Sequence, residues 1–160
     1  MNRPEFPLQA EHLFSMAATL QSPAELIGAV PEGIRLNFYV VDGHVEGPRL
    51  RGRLRPVGGD WFTLRRDGIG QLDVRVTIET GDGALIQATY EGIGDCGIDG
   101  YEAFLRGELP RVLPLRTAPT LRTAHPDYQW LHRLSCVGLG EVDLERYEVR
   151  YDIYAVSAGK

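Results

Sequence analysis

Apolar and polar side chains alternate along most of this chain. Ile34, Leu36, Phe38 and Val40 point one way, while Arg35, Asn37 and Tyr39 point the other. Leu72, Val74, Val76 and Ile78 oppose Gln71, Asp73, Arg75, Thr77 and Glu79; Tyr147, Val149, Tyr151, Ile153 and Ala155 oppose Arg146, Glu148, Arg150 and Asp152. A period of two is the signature of a strand with one face buried. Further strands are predicted at residues 12–20, 50–55, 61–65, 84–90, 111–117 and 134–140. Asp42-Gly43, Asp67-Gly68 and Asp82-Gly83 punctuate these segments. Asp-Gly supplies the positive φ of tight hairpin turns, so the three signals predict an antiparallel meander. Helical signals are few: a short helix at 101–107, ended by Gly107 and Pro110, and one or two turns at 126–132 with Asp127 in the first turn. Nothing supports alternating βαβ units. The expected fold is all-β, a single antiparallel β-barrel domain over residues 1–160 with about eight to ten strands, lipocalin-like in its logic, because closure leaves no edges exposed. A two-sheet sandwich is the alternative.

Composition narrows the function classes. Seventeen basic residues against 22 acidic ones leave a net charge of −5 over 160 residues, a poor balance for a general nucleic-acid binder. No apolar run approaches the ~18 residues of a membrane helix. The first eleven residues carry Pro4, Pro7 and two acids instead of an apolar signal core, and two cysteines, Cys96 and Cys136, are too few for a disulfide scaffold. A cytoplasmic protein is therefore expected. Every basic residue except Lys160 is arginine. Arg49, Arg51, Arg53 and Arg55 alternate with small or apolar residues, which places them on one strand face. That face is either an anion platform or, more simply, a solvated strand.

Several chemistries lack support. Gly92-Ile93-Gly94-Asp95-Cys96-Gly97 satisfies G-x-G-x-x-G, but without a long following helix or a parallel crossover it reads as a glycine loop. The four histidines show no metal-ligand spacing, and no strand-turn-helix elbow presents a nucleophilic serine. No metal or cofactor is expected. The polar strand faces hold the remaining candidates. Asp73 and Arg75 share one side of a strand; in a lumen they would be a desolvated, oriented pair, and on the outer wall an ordinary ion pair contributing ~0–1 kcal/mol. Asp60-Trp61 follows a Gly-Gly turn, with Asp60 able to act as a base and Trp61 able to wall a pocket. Tyr128, Trp130 and His132 form either an aromatic rim at a barrel mouth or a plug sealing one end.

The order of motifs is itself informative. Pro31-Glu32-Gly33-x-Arg35, Glu46-Gly47-Pro48-x-Leu50-x-Gly52, Gly58-Gly59-Asp60-Trp61, Asp67-Gly68, Leu72-Asp73-Val74-Arg75, Asp82-Gly83-Ala84-Leu85-Ile86, Tyr90-x-Gly92, Arg116-Thr117-x-Pro119 and Tyr128-x-Trp130-Leu131 follow one another. In this series, spanning about residues 13–156, the chain resembles a bacterial and fungal family catalogued as domain of unknown function 3237. The resemblance implies a small β-barrel with no general activity assigned. Where the family continues with an aromatic and Glu-Thr, this chain has Leu121-Arg122-Thr123; where it has Asn after Tyr-x-Trp-Leu, this chain has His132.

These readings converge on a barrel that binds a small, partly apolar metabolite. If catalytic, it fits cofactor-free acid–base chemistry: an isomerase, a cyclase or a lyase/hydratase. Asp60, Asp73 and His132 are the proton-transfer candidates. Arg75, Arg116 and Tyr90 are candidates to orient the ligand or steady negative charge. Arg35, Trp61, Tyr128 and Trp130 complete the expected binding set. A non-catalytic binding or interaction module is the rival. The expected partners are a small-molecule ligand, no nucleic acid and no membrane, with a homodimer allowed for.

Overall fold

A computed structural model describes residues 3–159. Nine strands run in chain order: β1 (Leu8–Leu20), β2 (Glu25–Val30), β3 (Gly33–Glu46), β4 (Arg51–Leu64), β5 (Ile69–Thr80), β6 (Leu85–Asp95), β7 (Val112–Arg122), β8 (Ser135–Asp143) and β9 (Glu148–Ala158). A short helix α1 (Gly100–Leu105) interrupts them between β6 and β7, and a 3-10 helix η1 (Pro126–Arg133) between β7 and β8. All the pairings are antiparallel.

The sheet runs β1-β9-β8-β7-β6-β5-β4-β3, and β1 pairs back onto β3, which closes an eight-stranded barrel. Strand β3 is long enough to serve two neighbours on one edge. Its C-terminal half pairs with β1, from Leu20↔Val40 to Ser15↔Glu46. Its N-terminal half pairs with β2, from Glu25↔Asn37 to Val30↔Gly33. The alternation did not single out β2, whose residues are mostly exposed. Glu25 anchors it by accepting hydrogen bonds from Asn37 Nδ2 at 2.9 Å and Tyr39 Oη at 2.8 Å.

Two of the three Asp-Gly signals are hairpin turns. Gly68 and Gly83 both have a φ of 86° and close the β4–β5 and β5–β6 connections. Asp42-Gly43 is not a turn: it lies inside β3. Gly43 is required there by close approach, since a Cβ would come within 2.6 Å of the Ala17 carbonyl oxygen and 2.7 Å of Leu54 Cδ1. Likewise, the segments expected at 50–55 and 61–65 are one strand, β4, whose register shifts between Leu54 and Gly58. Gly58, at φ 82°, absorbs that bulge.

The arginine face lies outside. Arg51 and Arg53 pair with Glu46 and Glu79, and the Arg49 guanidinium sits 3.6 Å from the Trp130 ring centroid. These contacts match a solvated strand face.

The inner face is apolar, but its two ends differ. The end at η1 is packed solid around Ile78, Ile86, Leu121 and Leu131, all but fully buried. The other end, beneath α1, is hollow. Among the described residues, no helix is long and apolar enough to cross a membrane.

Candidate functional site

One row of the barrel wall defines the site. The ladder sets Phe38 of β3 opposite Asp60 of β4, Asp60 opposite Val74 of β5, and Val74 opposite Tyr90 of β6. Directly paired residues project to the same face of a sheet, and this face is the lumen. Tyr151 arrives from β9 on the far wall, and its ring meets Tyr90 edge-on, with centroids 5.5 Å apart and planes at 76°. Gly140, its partner on β8, makes room: a Cβ there would lie 2.5 Å from Tyr151 Cδ1.

Asp60, Tyr90 and Tyr151 line a cavity of about 80 Å³ whose other walls are mostly aliphatic and aromatic, including Leu36, Phe38, Phe62, Val74, Leu113 and Val149. Cys96, Phe104 and Leu109, from the segment around α1, cover its open end. Among the described residues, no arginine, lysine or histidine lines it.

Asp60 is held by one contact. Its Oδ1 accepts the backbone N–H of Asp73 at 2.9 Å, inside a stretch where the β4–β5 ladder pairs Asp60 with Val74 and resumes only at Thr63 with Gln71. Burial in the apolar wall pushes its carboxyl up from 3.8 to about 7; the Asp73 N–H opposes that rise and the Asp73 charge adds to it. An apolar environment disfavours the ionised form, so Asp60 exchanges a proton near neutrality. Burial first, and the Asp60 charge as well, hold the Tyr90 phenol far above its ordinary range. Tyr151 is raised in the same direction, by burial, Tyr90 and Asp60. Both tyrosines therefore stay protonated and serve as hydrogen-bond donors.

The other sequence candidates lie elsewhere. Asp73 and Arg75 occupy the outer face of β5, where their ion pair is loose at 3.9 Å and the side chains are 46% and 57% exposed. Arg75 lies 5.6 Å from the Trp61 ring centroid, also outside the barrel. Arg35, Trp61 and Asp73 border a shallow groove on that wall. Arg116 is exposed on the outer face of β7. Tyr128, Trp130 and His132 belong to η1, at the solid end. Tyr128 Oη donates to the Asp82 carboxylate at 3.1 Å, and His132 Nε2 accepts the Thr123 N–H at 3.1 Å. Of the two alternatives for this segment the plug describes its position, although Leu131, not an aromatic, fills the barrel end. Asp60 and Tyr90 are thus the two named candidates that face the lumen.

Tyr151 escaped sequence reasoning because it reads as one more apolar position in the β9 alternation. A hydroxyl in an otherwise aliphatic inward row was the available signal.

Asp82, His125 and Asp127 are the one group among the described residues with metal-ligating atoms all within 4.8 Å of one another. They lie at the η1 end, with the Asp82 carboxylate already engaged by the hydroxyls of Thr80 and Tyr128. Both cysteines are free; burial and, secondarily, Asp95 raise the Cys96 thiol, which makes it a poor nucleophile.

Against known proteins, the model of the protein-of-unknown-function family DUF3237 matches residues 8–156. The chain belongs to this family. Curated relatives include a UPF0311 protein of Rhodopseudomonas palustris, 29% identical over 133 residues, covering 82% of this chain and 86% of that one. Another, from Clostridium acetobutylicum, is 34% identical over 124 residues, covering 76% and 78%. A crystal structure of a protein with unknown function from Clostridium acetobutylicum superposes with a TM-score of 0.83 at 29% identity, covering 94% of this chain and all of that one. A beta-barrel like protein from Acinetobacter baumannii gives 0.78 at 28%, covering 98% and 99%. An enzyme from Penicillium herquei shares the fold, with a TM-score of 0.63 at 20% identity and coverage of 96% and 99%.

Proposed function

We propose that this DUF3237 barrel binds a small, partly apolar molecule in its lumen and catalyses cofactor-free proton transfer on it. The observation that carries this reading is the position of Asp60: a carboxyl that lines the same, otherwise apolar cavity as Tyr90 and Tyr151, where burial pushes it up to about 7. A base of that pKa accepts and returns a proton at physiological pH, and neutral donors stabilise the oxyanion that forms when a carbon next to a carbonyl loses its proton. Returning the proton to a different atom is an isomerisation. Attack of the freed electron pair on a second carbonyl carbon of the same molecule closes a ring, as the π electrons of that carbonyl move to its oxygen, which takes the proton back from Asp60. When the pair instead forms a C=C bond to the neighbouring carbon, a leaving group departs from that carbon with its own bonding pair, and the reaction is an elimination.

A non-catalytic carrier is the second reading, favoured by how thoroughly apolar the lumen is. The convergence of Asp60 with Tyr90 and Tyr151 favours the enzyme, because a carrier needs no carboxyl that must lose its hydration.

Two measurements test the proposal. The Asp60 carboxyl carbon, assigned through the Asp60→Asn variant, should titrate near pH 7 by NMR. The protein in D₂O should also catalyse deuterium uptake next to the carbonyl of at least one compound in a small-ketone library, and Asp60→Asn should lose at least 100-fold of that rate. An Asp60 midpoint near 4, or uptake unaffected by the substitution, would overturn the catalytic reading; binding without uptake would leave the carrier.

A further inference from the structure

The lumen also specifies what kind of molecule it accepts. We propose that it selects uncharged compounds with a compact apolar body and one carbonyl or phenolic oxygen, received by the Tyr90–Tyr151 hydroxyl pair, and that it excludes carboxylates. This inference rests on the lumenal binding read above, but not on catalysis.

An anionic ligand needs a cation or several donors to offset its lost hydration. This chain has sixteen arginines, yet among the described residues none lines the cavity. Among the described residues, the one ionisable group facing a ligand besides the tyrosines and Cys96 is Asp60, whose charge would repel a second carboxylate.

The donors are matched to one neutral oxygen. Tyr90 and Tyr151 are 5% and 4% exposed, and both line the cavity. Among the described residues, the side-chain hydrogen bond made by Asp60 is to the Asp73 amide, not to either tyrosine. Each phenol carries one proton, so if one hydroxyl donates to the other, the second proton remains for a ligand oxygen. A hydrocarbon of the same shape would leave that donor unpaired in an apolar site, which such sites penalise. An ammonium ligand could meet Asp60 but would turn its N–H groups towards the same donors.

Size sets the third condition. About 80 Å³ is roughly half of the ~150 Å³ cavity that admits benzene in another protein. A ligand of ring size must therefore displace side chains. Phe104, on α1, and Leu109, in the connection from α1 to β7, line the cavity from outside the strand ladder and are the ones free of its register.

The test is a matched ligand series measured by NMR line-broadening on the full chain: cyclohexanone, phenol, methylcyclohexane, cyclohexanecarboxylate at pH 8, and cyclohexylammonium. Cyclohexanone or phenol should bind at least tenfold more tightly than methylcyclohexane. The carboxylate and the ammonium ion should bind at least tenfold more weakly than the better neutral oxygen compound. Tyr90→Phe combined with Tyr151→Phe should abolish the preference over methylcyclohexane while still admitting the hydrocarbon, which shows that the barrel is folded. Equal or tighter binding of either ion, a preference that survives the double variant, or no binding by any member would overturn the proposal. Failure of deuterium uptake with this ranking intact would overturn only the catalytic reading.

Discussion

At the scale of single residues, Asp60 sets the chemistry and also burdens the fold. Its folded pKa of about 7 lies above the ordinary 3.8, so the native state holds its proton more tightly than the unfolded chain does. Below about pH 4 both states are protonated and there is no penalty. As pH rises from about 4 to 7 the unfolded chain ionises first, and native stability falls. Above 7 the loss levels off at about 4 kcal/mol. Asp60→Asn keeps an oxygen to accept the Asp73 N–H but cannot ionise. Urea unfolding should find the variant more stable than the wild type at pH 8 by a large part of that amount, and nearly equal to it at pH 4. A difference independent of pH would remove the case for a buried, titrating carboxyl. The same comparison explains what the sequence could convey about this residue. Asp60 stood out as an acid after a Gly-Gly pair with the composition of a turn, which lies instead at a bulge inside β4, in the same way that Asp73 stood out beside Arg75. Both are aspartates on strands, and only the direction each faces separates a desolvated acid from a solvated one.

At the scale of elements, period-2 patterning identified most of the strands, because each buries one face along its length. It was silent about β2, whose attachment depends on Glu25 reaching Asn37 and Tyr39 and not on an apolar stripe. Asp42-Gly43 carries the composition of a turn, yet its glycine answers to the closeness of β1 and Leu54. A dipeptide cannot show whether the constraint on it is torsional or steric. The two covers of the barrel also differ in kind. Helix η1 is capped by His125, whose Nδ1 accepts the Asp127 N–H at 3.2 Å, and it inserts the buried Leu131. Helix α1 has six residues, no side-chain cap and one buried residue, Gly100. Few buried contacts and a short hydrogen-bonded run mean low local stability. In hydrogen exchange, amides 98–107 should exchange faster than those of β5 and β6, and should slow when a lumenal ligand binds. Unchanged exchange on saturation with a bound ligand would show that entry does not use this end.

At the scale of the whole molecule, the barrel has a packed half and a hollow half, and core substitutions should divide accordingly. Leu121, 2% exposed at the solid end, has neighbours on every side, so Leu121→Ala should cost about 2–5 kcal/mol. Leu36 is only half-buried and already borders empty volume; Leu36→Ala has fewer contacts to lose and should cost less, about 1 kcal/mol. Denaturant midpoints of the two variants check this, and equal losses would count against the asymmetry. The class of fold was legible in the amino-acid order alone, since strand periodicity and turn chemistry are local, and the motif series was enough to indicate the family. Closure through β1 and β3 was settled in three dimensions, because pairing between residues from Leu20↔Val40 to Ser15↔Glu46 leaves no local trace. The same is true of the functional site. Alternation divides each strand into two faces but carries no sign for which one turns inward where both hold polar groups. Only the closed barrel placed Asp60, Tyr90 and Tyr151 together across β4, β6 and β9, and turned the arginines to the water.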